Sequence, residues 1–150
     1  MLRSTDLQVP NSPHQVYEFL DVFANHERFT DHFMVDWQLS GPERGVGAKA
    51  NVRVKATVEK DWTDIEVVEA DADRRIVEEA TGGPSAKRRT RGTYLLEPLP
   101  DGGTRISFEL EFLELPASER LMGPLNRAYV KRVNGKAMKR LAEALHHLPE

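Results

Sequence analysis

The chain lacks cysteine, and this absence removes several kinds of chemistry at once. Disulfide bonds, thiolate nucleophiles and cysteine metal sites are excluded. A chain without thiols fits a reducing compartment more easily, so the sequence predicts a cytoplasmic location. No apolar run approaches the ~20 residues that cross a bilayer, and the N-terminal segment has no apolar signal core. We therefore expect no integral membrane segment.

The chain also lacks a dominant charge of one sign. Its 21 basic and 24 acidic residues leave a formal net charge of -3, which favours neither a nucleic-acid binder nor an acidic tail. Basic residues cluster at 87–91 and 127–140, and if these patches coincide they could attract phosphate, anionic lipid or RNA. Acidic clusters at 69–73 and 78–79 interrupt such a surface, so nucleic acid is not an expected partner.

The spacing motifs of metal and covalent sites are absent as well. His26 and His32 lie six residues apart and His146 adjoins His147, whereas two ligands on one helical face need i, i+4 spacing. We expect the histidines to be surface or capping residues, without a metal site. No serine lies in a nucleophile elbow and no phosphate-binding glycine loop precedes a helix, so covalent hydrolysis is unsupported. No cofactor is expected.

What the chain does contain fits one domain, residues 1–150, large enough to bury roughly two-thirds of its unfolded surface. Leu2 to Val9 reads as a first strand. Ser12, Pro13 and Gln15 then resemble a capping box at the start of a short helix. A second short helix is predicted from Asn25 to Phe29.

Six further strands are indicated by side chains that alternate with period two. They are predicted at 34–40, 48–57, 61–70, 74–81, 92–99 and 104–113. Turn residues separate them at 41–45, 82–85 and 101–103, and the last of these turns makes the clearest hairpin. On the strand at 34–40, the alternation places Val35, Trp37 and Leu39 on one face.

A long amphipathic helix closes the chain. It is predicted to begin after Pro116, to bend near Gly123-Pro124, and to run to Leu148. Its apolar stripe consists of Val130, Val133, Ala137, Leu141, Ala144, Leu145 and Leu148. Two asparagines, Asn126 and Asn134, interrupt the stripe, and an inward amide needs a hydrogen-bond partner. Because two of its members are alanine, the stripe should face the sheet without filling the space beneath it.

This order of elements resembles the START-related (SRPBCC) superfamily with the helix-grip fold, especially its polyketide cyclase/dehydrase and lipid-transport branch. Three segments carry the resemblance, namely VPNSPHQVYEFLDVFANHERF, SGPERGVGAKANVRV and RGTYLLEPLPDGGTRISFELEF. It implies an α+β fold in which a curved seven-stranded antiparallel sheet, with two short helices, wraps a long C-terminal helix in the order β-α-α-β6-α. The superfamily has no fixed catalytic motif, so the resemblance assigns no catalytic residue.

The resemblance also implies a cavity between the sheet and the terminal helix. From the phase of the elements, its wall is predicted to consist of Phe29, Trp37, Tyr94, Phe108, Asn134 and Met138. The alternative for each of the aromatic residues is ordinary core packing. Asn134 is the stronger candidate, because an unsatisfied core amide costs about 1–3 kcal/mol.

Glu78 is the candidate for acid–base chemistry. Ile76, Glu78 and Ala80 would share one strand face, so the carboxyl would point inward beside Tyr94. Desolvation would raise its pKa and suit it to enolisation or dehydration. A register shift by one residue would present Val77 and Glu79 instead, and a solvated strand carboxylate is the alternative.

Three interpretations remain open at this point. The first is a hydrophobic-ligand binder of the cyclase type, in which Glu78, Tyr94 and Asn134 give noncovalent acid–base help to a polyketide, aromatic, lipid or isoprenoid substrate. The second is a carrier with the same pocket and no turnover. The third is a protein-interaction module with a vestigial cavity. A homodimer is compatible with each of them.

Overall fold

The computed structural model describes residues 2–55, 61–83, 87–117 and 123–148. Strand β1 (Leu2–Val9) is followed by helix α1 (Pro13–Asp21), a 3-10 helix (Phe23–His26) and the short helix α2 (Glu27–Thr30). The next strands are β2 (Met34–Ser40), β3 (Lys49–Val54), β4 (Asp61–Asp71), β5 (Arg75–Gly82), β6 (Arg88–Pro98) and β7 (Thr104–Glu114). Helix α3 (Gly123–His146) follows them.

The strands form one antiparallel sheet in the order β1-β7-β6-β5-β4-β3-β2. Because β1 and β2 lie at opposite edges, the chain between them crosses the end of the sheet, and α1, the 3-10 helix and α2 make that crossing. Helix α3 packs against β1 and α2. The predicted α+β helix-grip fold, with its curved sheet and long C-terminal helix, is confirmed.

The start of α1 follows its sequence signature. The backbone nitrogen of Gln15 donates to Ser12 Oγ at 3.2 Å, and the backbone nitrogen of Ser12 donates to Gln15 Oε1 at 3.0 Å. Pro13 occupies the first turn, where the missing N–H has no helical partner to lose. The predicted capping box is therefore present.

The buried face of α3 also matches the predicted stripe. Val133, Ala137, Leu141 and Leu145 are buried, while Val130, Ala144 and Leu148 are half-buried. Arg132, Lys136, Lys139 and Glu143 on the opposite face are exposed. The side chain of Asn126 lies outside the described residues, and so do residues 118–122, which separate the predicted helix start after Pro116 from the predicted bend near Gly123-Pro124.

The strand β2 departs from its predicted alternation. Val35 and Trp37 are half-buried, but the side chain of Leu39 is 51% exposed. The register shifts between Val35 and Gln38, and Asp36 between them has a φ of 56°. Val35 therefore pairs with Arg53 whereas Leu39 pairs with the buried Ala50, which places Val35 and Leu39 on opposite faces of the sheet. The prediction that Val35, Trp37 and Leu39 share one face is wrong.

Several boundaries differ by smaller amounts. The second short helix, predicted at 25–29, is divided into a 3-10 helix and the four-residue α2. Strand β6 begins at Arg88 rather than at Gly92, because its first residues pair with β5 and β7. The predicted end of β3 at Thr57 and the turn residues 84–85 lie outside the described residues.

Candidate functional site

A glutamate lies inward on the concave face of the sheet. Glu78 in β5 pairs with Val67 of β4 on one side and with Gly92 of β6 on the other. Its side chain is 13% exposed, and Oε2 is fully buried without a hydrogen-bond partner in the described part of the chain. Burial raises the pKa of Glu78 to about 7, because the charged carboxylate loses its hydration. Near neutral pH the carboxyl therefore exists in both protonation states.

Gly92, which pairs with Glu78, has no side chain and therefore leaves space beside the Glu78 side chain. A Cβ atom at Gly92 would lie 3.0 Å from Phe108 Cε1 and Cζ and 3.4 Å from Glu78 Cγ. The first distance is tighter than an ordinary contact, so any larger residue at this position would push the Phe108 ring away from the β6 backbone. The sequence thereby brings the ring of Phe108 and the stem of Glu78 together.

A buried histidine faces the same carboxyl. His26, in the 3-10 helix, is 2% exposed, and its Nε2 lies 2.7 Å from the carbonyl oxygen of Leu20. A carbonyl oxygen accepts hydrogen bonds, so Nε2 carries the proton and Nδ1 of the neutral ring has a free lone pair. That Nδ1 lies 3.8 Å from Glu78 Oε2.

The imidazole of His26 is held in its neutral form. Burial lowers the pKa of His26 to about 4, although the hydrogen bond to Leu20 and the charge of Asp21 act in the opposite direction. Near neutral pH a weak acid, Glu78, thus lies beside a neutral base, His26. Such a pair can donate a proton from one side and accept one on the other.

Aromatic rings surround the pair. The ring centroids of His26 and Phe29 lie 5.3 Å apart, those of His26 and Tyr94 5.6 Å, and those of Tyr94 and Phe108 4.7 Å. Burial, and then the charge of Glu78, raise the pKa of Tyr94, so its hydroxyl stays protonated. We call Glu78, His26, Phe29, Tyr94 and Phe108 the inner cluster.

The other predicted wall residues lie outside this cluster. Trp37 is half-buried and stacks edge-on against Phe23 at 5.8 Å, and Phe23 in turn lies 4.9 Å from His26. The indole Nε1 of Trp37 donates to the carbonyl oxygen of Met34 at 3.1 Å. The rings of Trp37, Phe23 and His26 thus form a row that leads away from Glu78.

Asn134 and Met138 lie one turn apart on the buried face of α3. They are 8% and 4% exposed, respectively. Within the described ranges the side-chain amide of Asn134 makes no hydrogen bond. A buried amide in this state retains its capacity to bind a polar group from outside the chain.

His26 was not among the predicted site residues. The prediction that the histidines are surface or capping residues is wrong for His26, which is 2% exposed. The half-buried His32 donates from Nε2 to the carbonyl oxygen of Val133 at 2.9 Å. The sequence contains a signal for the burial of His26, because Phe23, His26 and Phe29 follow one another at intervals of three residues. That spacing places His26 on the apolar face of its helical segment.

Burial along the concave face is uneven. Near the C-terminal half of α3, the inward residues Ile76, Leu96 and Ile106 are at most 5% exposed and belong to the core with Leu141 and Leu145. Farther along the same strands, the inward residues are only half-buried, namely Glu78, Ala80, Thr90, Phe108, Leu110 and Phe112. The register places all of them on one face. We call this half-buried region the hollow.

A solvent-open surface pocket lies beside the turn that follows β2, and its lining consists of Phe23, Ala24, Leu39, Ser40, Gly41, Pro42, Glu43 and Lys49. Within the described ranges, histidine and acidic side chains do not gather in groups of three or more that could hold a metal ion. In the same ranges, no helix combines the length and apolar composition of a bilayer-crossing segment.

Comparison with known proteins agrees with the fold. The family described as polyketide cyclase / dehydrase and lipid transport matches residues 4–146. No curated protein matches the chain. Among solved structures, TTHA0849 from Thermus thermophilus is 17% identical, with a TM-score of 0.72 and 97% of each chain covered.

Two further structures are similar over nearly their whole length. Mll3558 from Rhizobium loti is 20% identical, with a TM-score of 0.69 and 95% of each chain covered. Ara h 8.0201 is 12% identical, with a TM-score of 0.69 and 99% of each chain covered. At these identities the structural likeness shows the fold alone, while the family match covers nearly the whole chain.

Proposed function

The chain belongs to the polyketide cyclase/dehydrase and lipid-transport family, and from this premise we propose that it binds a hydrophobic small molecule in the hollow between the sheet and α3. One observation carries the proposal. The hollow combines half-buried apolar side chains with a buried carboxyl oxygen that has no partner in the described residues. Ligand pockets are largely apolar and contain a few such polar groups.

Glu78 gives this binding site the means for chemistry. A carboxyl with a pKa of about 7 exchanges its proton readily near neutral pH, which suits a general acid or base in a cyclisation or dehydration. Tyr94 borders the same space as a protonated phenol, and Asn134 offers a free amide on α3. We therefore favour a noncovalent cyclase or dehydrase without a cofactor.

A carrier without turnover is the second candidate function. The family description itself includes lipid transport, and the apolar side chains of the hollow would hold such a ligand equally well. A cytoplasmic location and the absence of a nucleic-acid partner stay predictions, and so does a homodimer. Turnover of a bound substrate, and its loss in Glu78→Gln, would separate the enzyme from the carrier.

Binding in the hollow is tested with 1-aminoanthracene, a neutral planar fluorophore. We expect saturable binding to the wild-type protein, with an affinity that falls at least about tenfold in Leu110→Asp, since a charge in an apolar site loses hydration. Leu39→Asp is the matched control, because Leu39 is 51% exposed and borders the surface pocket.

The two variants also separate the alternatives. Loss of binding in Leu39→Asp, with Leu110→Asp unaffected, would move the site to the surface pocket. No saturable binding of this fluorophore or of a lipid and polyketide panel would favour the protein-interaction interpretation. A titration from pH 5 to pH 9 adds a further check, because a profile unchanged by Glu78→Gln would remove this residue from the site.

A further inference from the structure

Glu78 Oε2 is a buried acceptor that the described chain leaves unused. An unsatisfied buried polar atom costs about 1–3 kcal/mol, so proteins rarely keep one without a use. The neighbouring groups are aromatic rings and the imidazole of His26, and Tyr94 is protonated. A partner for Oε2 would have to come from outside the described chain.

One oxygen atom beside the line from Glu78 Oε2 to His26 Nδ1 can bridge the two groups, and we call the position of that atom the gap. The 3.8 Å between Oε2 and Nδ1 is too long for a direct hydrogen bond. An oxygen atom placed about 2.8 Å from each of them would make hydrogen bonds to both. The bond from Nε2 to the Leu20 carbonyl fixes the ring so that Nδ1 points toward this gap.

The two sides of the gap need different hydrogen-bond partners. The protonated carboxyl of Glu78 donates, whereas Nδ1 of neutral His26 accepts. A hydroxyl oxygen satisfies both groups, because it accepts one hydrogen bond while it donates another. An ether or a carbonyl oxygen can accept from Glu78 but has nothing to donate to His26.

We infer that Glu78 and His26 together bind one hydroxyl group of the ligand, which makes the ligand a hydroxylated apolar molecule such as a phenol or an alcohol. The inference rests on the proposed binding in the hollow. The rings of Phe29, Tyr94 and Phe108 flank the pair and favour a planar skeleton behind the hydroxyl. Under this inference His26 is a binding residue, because its Nδ1 accepts the hydrogen bond that the ligand hydroxyl donates.

Three probes of nearly equal shape test the inference by displacing 1-aminoanthracene at pH 6. They are 2-naphthol, which donates and accepts, 2-methoxynaphthalene, which accepts, and 2-methylnaphthalene, which does neither. For the wild-type protein we expect 2-naphthol to bind about tenfold more tightly than 2-methoxynaphthalene, since one net hydrogen bond is worth about 1 kcal/mol or slightly more.

His26→Phe removes the hydrogen-bond acceptor at the gap, and Glu78→Leu removes the donor. In His26→Phe, 2-naphthol should lose its advantage over 2-methoxynaphthalene, because the acceptor is gone. In Glu78→Leu, 2-methoxynaphthalene should lose its advantage over 2-methylnaphthalene, because the donor is gone. Each variant thus has its own signature, which a general loosening of the site would not reproduce.

A measurement on the wild-type protein covers the case in which a variant fails to fold. The ¹⁵N spectrum of the histidine side chains should show His26 with a proton on Nε2, and its Nδ1 signal should move on addition of 2-naphthol. It should stay in place with 2-methoxynaphthalene. A proton on Nδ1, or no movement with 2-naphthol, would overturn the inference.

The outcomes separate this inference from the proposed function. If 1-aminoanthracene binds in the hollow but the three probes displace it equally, or do not displace it, the hydroxyl inference is wrong and hydrophobic binding stands. If 1-aminoanthracene and the ligand panel do not bind at all, the proposed function fails and the inference fails with it.

Discussion

Burial shifts the proton affinities of Glu78 and His26 in opposite directions. The pKa of Glu78 rises from 4.5 to about 7, so the folded protein binds this proton more tightly than the unfolded chain. Its contribution to stability is complete below pH 4.5 and is lost as the pH rises through 7. The pKa of His26 falls from 6.5 to about 4, so its contribution is complete above pH 6.5 and is lost as the pH falls.

The two effects nearly cancel in the wild-type protein, and single variants should reveal them. As the pH rises from 5 to 7, the unfolding free energy of Glu78→Gln should increase by about 2–3 kcal/mol relative to that of the wild-type protein. Over the same range, that of His26→Phe should decrease by about 2 kcal/mol, since a shift of one pKa unit corresponds to ~1.4 kcal/mol. Urea unfolding at both pH values measures this. Asp21 and Tyr94, the other titratable groups near the pair, are unchanged in both variants.

Parallel pH profiles for the three proteins would contradict the burial of the pair. A change in one variant alone would show that the other residue titrates as it does in water. The comparison with wild type also removes the contribution of His14 and His32, which titrate in all three proteins.

The orientation of a single residue was predictable where the period of its own strand decided it. The alternation of Ile76, Glu78 and Ala80 placed Glu78 on the inward face beside the strand that contains Tyr94. Its contact with His26 could not be predicted in this way, because the two residues belong to elements that meet only in the folded chain. The functional role of each remains a prediction.

Among the elements, three polar contacts join α3 to the segment that follows α2. Arg140 forms an ion pair with Asp31, and its Nη1 lies 3.1 Å from Nδ1 of His32. The other ring nitrogen of His32 donates to the Val133 carbonyl oxygen. His32 thus accepts from one turn of α3 and donates to another, and it sets the position of α3 against α2.

Removal of Arg140 should loosen this contact. We expect Arg140→Gln to lower the unfolding free energy by about 1 kcal/mol, the usual worth of a partly exposed ion pair with one hydrogen bond. Lys139→Gln is the matched control, because Lys139 is the adjacent exposed cation on α3 and makes no ion pair in the described residues. Thermal unfolding measures both, and an equal loss in the two variants would assign the effect to helix charge.

Elements were predictable where one local rule applied along their whole length. The capping box began α1 at the predicted place, and the apolar stripe of α3 proved to be its buried face. The bulge in β2 was not predictable, because it comes from a backbone conformation at Asp36 that the alternation of side chains does not record. The ion pair between Asp36 and Arg53 of the neighbouring strand accompanies that conformation.

At the scale of the whole molecule, the hollow is the feature on which binding depends. One row of paired residues crosses the sheet through Ala50, Ile65 and Ala80. Ala50 is 2% exposed, whereas Ala80 at the other end of this row is half-buried. Two alanines on the same face therefore differ mainly in the space in front of them.

This difference gives a test of the hollow that needs no natural ligand. Ala80→Phe should fill space that a ligand would use, so it should abolish 1-aminoanthracene binding while the unfolding free energy changes by less than about 1 kcal/mol. Ala50→Phe meets a packed core and should destabilise the protein by about 1–3 kcal/mol or more. Urea unfolding and fluorescence titration of both variants measure the two effects.

Ala80→Phe and Ala50→Phe together distinguish a space that can hold a ligand from a core that side chains already fill. If Ala80→Phe destabilises the protein as much as Ala50→Phe does, the space before Ala80 is already filled by side chains, and the hollow cannot hold a molecule. If Ala80→Phe folds normally and still binds the fluorophore with wild-type affinity, the ligand lies elsewhere. Because an added ring must either occupy free volume or displace atoms, the unfolding free energy of Ala80→Phe reports on that volume directly.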